Sequence, residues 1–88
     1  MKTTVLNTVL NNKVVVLNIA GRFNLQIKNC DNFQIFTLKV NNVMRNPLFV
    51  PNDDLVSKTS LLKIDDYYTV KVDKINKNNT TFEVIQTF

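Results

Sequence analysis

Apolar and polar residues alternate along the middle of the chain. From Val15 to Ile27 the odd positions read Val15, Leu17, Ile19, Gly21, Phe23, Leu25 and Ile27. The even positions from Asn18 read Asn18, Ala20, Arg22, Asn24, Gln26 and Lys28. A period of two puts one set on a buried face and the other in solvent, as in a half-buried strand. The run is long for one strand, and Gly21, its only glycine, falls at the middle. A bend or bulge there is expected. After the turn formers Asn29-Cys30-Asp31-Asn32, alternation resumes, with Phe36, Leu38 and Val40 on one side and Phe33, Ile35, Thr37 and Lys39 on the other. A four-residue loop over Asn29 to Asn32 sets Lys28 against Phe33, Gln26 against Ile35 and Leu25 against Phe36. Asn24 then faces Thr37, Phe23 faces Leu38 and Arg22 faces Lys39. The apolar residues of both strands then share one face.

Beyond Asn41 the pattern weakens. Val43 to Val50 holds a third strand that Pro47 confines to an edge or a break. Pro51-Asn52-Asp53-Asp54 has the cap and acidic first turn of a short helix reaching about Lys63. Tyr67 to Asp73 alternates again, with Tyr68, Val70 and Val72 in phase. Asn76-Lys77-Asn78-Asn79 is a turn, and Thr80 to Gln86 a last strand. The expected fold is all-β with one short helix, a five-stranded barrel or strongly bent antiparallel sheet. The expected core is Val15, Leu17, Ile19, Phe23, Leu25, Phe36, Leu38, Val40, Val70, Val72 and Val84.

Gly21-Arg22-Phe23, running through a hairpin into Phe33-Gln34-Ile35-Phe36-Thr37-Leu38, resembles the first two strands of an oligonucleotide/oligosaccharide-binding (OB) domain. Leu62-Lys63-Ile64-Asp65-Asp66-Tyr67-Tyr68-Thr69-Val70-Lys71-Val72 resembles the approach to the fourth strand of such domains. The likeness is to the small single-stranded-DNA-binding members of that fold. It implies an OB-like barrel binding single strands across the early strands and their loops. Pro47 departs from the pattern, because pairing of the third strand should continue there.

The chain has 88 residues, room for one domain over 1–88. Branched and aromatic residues are frequent, which suits strands. The net charge of +4 fits a polyanionic partner. With one cysteine, Cys30, no internal disulfide is possible, which points to a reducing, intracellular setting or at least to a fold that needs no staple. Met1 to Lys13 does not read as a secretion signal, because Asn7, Asn11, Asn12 and Lys13 interrupt its apolar run. No apolar stretch is long enough to span a membrane.

The chemistry of catalysis is sparse. There is no histidine, so the commonest general base and metal ligand is missing. One cysteine excludes a thiolate zinc site, and one glycine excludes a Gly-rich phosphate loop. Asp53/Asp54 and Asp65/Asp66 read as structural pairs. A binding protein without cofactor or metal is expected, not an enzyme.

The binding candidates lie on the outward hairpin face: Arg22, Asn24, Gln26, Lys28, Phe33, Ile35, Thr37 and Lys39, with Tyr67 as a further stacking side chain. Cations track phosphates and aromatics stack on bases in single-strand binding. The alternative is a protein-binding adaptor or inhibitor. The apolar residues Val5, Leu6, Val9 and Leu10 suggest a homodimer in either case.

Overall fold

A computed structural model describes residues 2–51, 59–76 and 78–87. It is an all-β fold of two antiparallel sheets. Its strands are β1 (Lys2–Leu6), β2 (Val14–Ile19), β3 (Phe23–Asn29), β4 (Phe33–Val40), β5 (Val43–Met44), β6 (Leu48–Pro51), β7 (Thr59–Lys63), β8 (Tyr68–Lys74) and β9 (Asn79–Gln86). One sheet runs β2-β3-β4-β5, with β6 also on β4, and the other runs β1-β9-β8-β7. Most strands pair with a neighbour in sequence, while β6 pairs β4 beside β5, and β1 on β9 joins the two ends of the chain. No closed barrel forms among the described strands. Among the described residues no helix is long and apolar enough to cross a membrane.

The long alternation of Val15 to Ile27 is a hairpin, not one bent strand. β2 and β3 pair in register, with Ile19 opposite Phe23 and Val15 opposite Ile27. Ala20 (φ 54°) and Gly21 (φ 77°) turn the chain through the left-handed region. The loop between the paired residues is Ala20-Gly21-Arg22, an odd number of residues. Ile19 and Phe23 therefore keep the same parity, and the alternation passes through the turn without a break.

The β3–β4 hairpin is shifted by two residues from the sequence expectation. Ile27 faces Phe36, Leu25 faces Leu38, Gln26 faces Thr37 and Lys28 faces Ile35. The loop is tighter than expected, because Cys30 N–H donates to the Phe33 carbonyl at 2.9 Å, leaving Asp31-Asn32 as the turn. A slip of two residues preserves the faces, so Phe23, Leu25, Phe36, Leu38 and Val40 are buried as expected and Ile27 joins them.

Two strand segments replace the weak third strand. Asn41 and Asn42 both have positive φ, 50° and 66°, and link Val40 to its partner Val43. Two left-handed residues are the requirement of a type I′ hairpin turn, and asparagine tolerates them. The β5 register continues as Arg45 N–H donates to Leu38 at 2.8 Å. β6 restarts with Leu48 opposite Phe36, one residue further along. The extra residue lies over Arg45–Pro47, a β-bulge on the sheet edge, where proline costs no ladder bond.

The expected helix falls partly on residues 52–58, outside the described residues. Its last part, Thr59–Lys63, is β7, paired with β8 through Leu62 opposite Val70 and Ser60 opposite Val72. There the burial alternates, with Leu62 buried and Leu61 exposed, so period two and a waiting partner override the helix-start signal. The one described helical turn is a 3₁₀ turn at Val9–Asn11. The side chain of Asn29 holds it, donating to Leu10 O at 2.6 Å and to Asn12 O.

Both sheets contribute to one core. Val15, Leu17, Ile19, Phe23, Leu25, Ile27, Phe36, Leu38, Val40 and Val50 come from the first sheet, and Leu62, Val70, Val72 and Phe82 from the second. Val84 and Tyr68 are partly buried against it. Phe23 meets Tyr68 edge to face across the sheets at 6.0 Å. Arg45 bridges the sheets at the β5 edge, where its Nε donates to Asp65 Oδ2 at 2.7 Å.

Candidate binding face

The register of the first sheet fixes what its outer face carries. One row across the strands is Val14, Lys28, Ile35 and Phe49. The next holds Val16, Gln26 and Thr37, and a third Asn18, Asn24, Lys39 and Met44. Phe33 stands opposite Pro51 at the end of the face. The ring of Phe33 stacks on that of Phe49, its diagonal neighbour, with centroids 5.8 Å apart and planes at 23°. Asn24, Gln26, Lys28, Phe33, Ile35, Thr37 and Lys39 therefore share one face, despite the shifted register.

Two candidates lie elsewhere. Arg22 is in the β2–β3 turn, with its guanidinium carbon 4.7 Å above the Phe23 ring. That stacking draws the cation over a core-facing ring, off the outer face. Tyr67 belongs to the turn entering β8 in the other sheet, with the Arg45 guanidinium 5.7 Å from its ring. It is half-exposed but is not part of the hairpin face. Asp65 sits in the same turn, where its Oδ1 accepts from the backbone N–H groups of Tyr67 and Tyr68 at 2.9 and 3.0 Å. Burial alone would raise its pKa. The Tyr67 N–H, the Arg45 guanidinium and the Tyr68 N–H outweigh burial and hold the carboxyl below its ordinary value. Asp65 is thus a structural carboxylate. Asp66 faces solvent beside Lys63 at 3.5 Å, and Asp53 and Asp54 lie outside the described residues.

Several residues of the face were not among the sequence candidates. Phe49 is 61% exposed, and its strand was obscured by Pro47. Val14 and Val16 are 47% and 59% exposed on the outward set of β2. They carry a signal that reading could have used, since valines on the solvent side of a strict alternation need an explanation.

Charge is sorted between the two sheets. Strands β2 to β6 contain no acidic residue, and Lys28 and Lys39 are the charges on their outer face. The outer face of the second sheet mixes signs. There Lys71 lies opposite Glu83 and its Nζ is 3.6 Å from Asp73. The proposed N-terminal patch is divided: Val5 and Leu10 pack against the chain's own core, while Leu6 and Val9 are exposed.

Comparison with models of known families, with curated proteins and with solved structures finds no match to this chain.

Proposed function

We propose that the outer face of the β2–β6 sheet binds single-stranded nucleic acid with little sequence preference. The observation that carries this reading is the coincidence, on one face whose strands carry no carboxylate, of two lysines with an exposed Phe49 stacked on a half-buried Phe33. Lys28 and Lys39 would follow the phosphates. The exposed ring of Phe49 would extend its stack to a base, an interaction open to any base because each has a π-face. Asn24 and Gln26 lie between the cations and offer amides to phosphate or base edges.

A second reading, a face that binds another protein, is favoured by Val14 and Val16. Branched aliphatic side chains cover apolar surface but make no base stack. Fluorescence anisotropy with labelled single-stranded and duplex oligonucleotides separates the readings. Single strands should bind at about 50 mM salt and be released as salt rises. Phe49→Ala should weaken binding by about 1–3 kcal/mol, the worth of one stacked base. Lys28→Ala should lower affinity for every sequence and reduce the salt slope by about one. A folded protein that leaves the anisotropy of single strands unchanged at low salt refutes the nucleic-acid reading and favours the protein partner.

A further inference from the structure

Between the two sheets, at the end of the core near the 3₁₀ turn, lies a cleft of about 460 Å³. It does not belong to the outer face described above. Its floor is apolar, formed by Ile27 and Phe36 of the first sheet and Val72 and Phe82 of the second. All four are buried core residues. Its rim is polar, and among its lining residues Lys74 carries the only charge and no carboxylate appears. Lys74 follows Val70 and Val72 on the inward set of β8 and is paired with the buried Thr80. The cleft is braced: Asn29 spends its amide on Leu10 O and Asn12 O and accepts from Gln34 Nε2, while Thr80 Oγ1 donates to Asn7 Oδ1 at 2.6 Å. The amide of Asn29 therefore shapes the wall and does not read a ligand.

We propose that this cleft is a second binding site, for a small amphipathic anion such as an aliphatic carboxylate. Three features select that class. The volume falls in the range of small-molecule sites, about 300–1,000 Å³. The apolar floor gains from covering by a hydrocarbon body. Lys74 is the one charged side chain among the described lining residues, so it favours a negative head group, and its exposure on the rim keeps that group in reach of water. A cationic amphiphile gains from the floor but is repelled by Lys74, and a purely polar anion gains from Lys74 but not from the floor.

Cys30, the only cysteine of the chain, lines the cleft and is half-buried, so its thiol reports on occupancy. The test measures alkylation of Cys30 by N-ethylmaleimide, followed by mass spectrometry, with decanoate as probe below its micelle threshold. Decanoate should slow alkylation saturably and raise the melting temperature, with decyltrimethylammonium protecting markedly less. Lys74→Gln, a change at an exposed side chain, should raise the half-protecting concentration about tenfold, equivalent to about 1.4 kcal/mol. Asn11→Trp, which places a ring at the mouth of the cleft, should weaken protection without lowering the melting temperature. Equal protection by the cationic probe, or unchanged protection in Lys74→Gln, overturns the anion assignment. An alkylation rate indifferent to decanoate overturns the site. Should Lys74→Gln fail to fold, the contrast between the two probes on the unmodified protein decides alone.

Discussion

Phe36 is opposite Ile27 in the β3–β4 pair and is 1% exposed. Its ring is among the largest fully buried side chains, and it reaches the floor of the inter-sheet cleft. Phe36→Ala should cost about 3–5 kcal/mol in urea unfolding, most of the margin of a chain this small. Phe49→Ala, on the outer face, should leave the urea midpoint nearly unchanged, so the same residue type separates packing from binding. Asp65 and Asp73 make a second test at this scale. Thr59 Oγ1 donates to Asp73 Oδ1 at 2.6 Å. That bond is the largest cause of its lowered pKa, with Lys71 adding to it against some burial. For both groups the folded pKa lies below the unfolded value of about 3.9. Their stabilisation is therefore complete above that value and lost as pH falls through the lower folded one. Asp65→Asn keeps an oxygen acceptor for the Tyr67 and Tyr68 N–H groups but loses the charge facing Arg45. The variant should be less stable than the parent at neutral pH, and the difference should close in acid. A gap in urea midpoint that persists unchanged to the lowest pH would refute this account.

The tight turns set the register of the strands and so decide which residues meet. Gly21 has φ +77°, and a Cβ built there meets no heavy atom within 4 Å. Gly21→Ala therefore costs backbone strain alone, about 1–2 kcal/mol, without a clash. Asn42→Val should cost at least as much, because a branched residue at φ 66° lacks the tolerance of asparagine for left-handed backbone. Thermal melts of the two variants check both numbers. A neutral Gly21→Ala would mean that the turn relaxes into another type. These elements also show what alternation alone reports. The faces of β2, β3 and β4 were legible because their apolar sets are strict. Their pairing partners were not, since a loop shortened by two residues leaves every side chain on its own face. The β2–β3 turn was hidden because its odd number of loop residues keeps the alternation in phase.

At the scale of the whole molecule, two sheets share one core, so neither has apolar packing of its own to survive alone. Unfolding should be a single cooperative transition. Tyr67 and Tyr68, at the start of β8, report on the second sheet, and exposure of the Cys30 thiol reports on the β3–β4 turn of the first. Their urea midpoints should coincide, and separated midpoints would mean that one sheet opens first. The sequence by itself determined that the fold is antiparallel β, which face of the central strands is buried, and that the outward set of the β3–β4 hairpin carries lysines and amides. These properties depend on period-two patterning, on composition and on charge, all local along the chain. Only the tertiary structure decided that strands follow one another as a meander in two facing sheets. It also brought Phe49 onto Phe33, assigned Thr59–Lys63 to a strand, moved Tyr67 off the binding face, and opened a cleft beneath Lys74. Each of these depends on contacts between distant segments, in which a waiting partner strand or a neighbouring ring outweighs the preference of the local sequence.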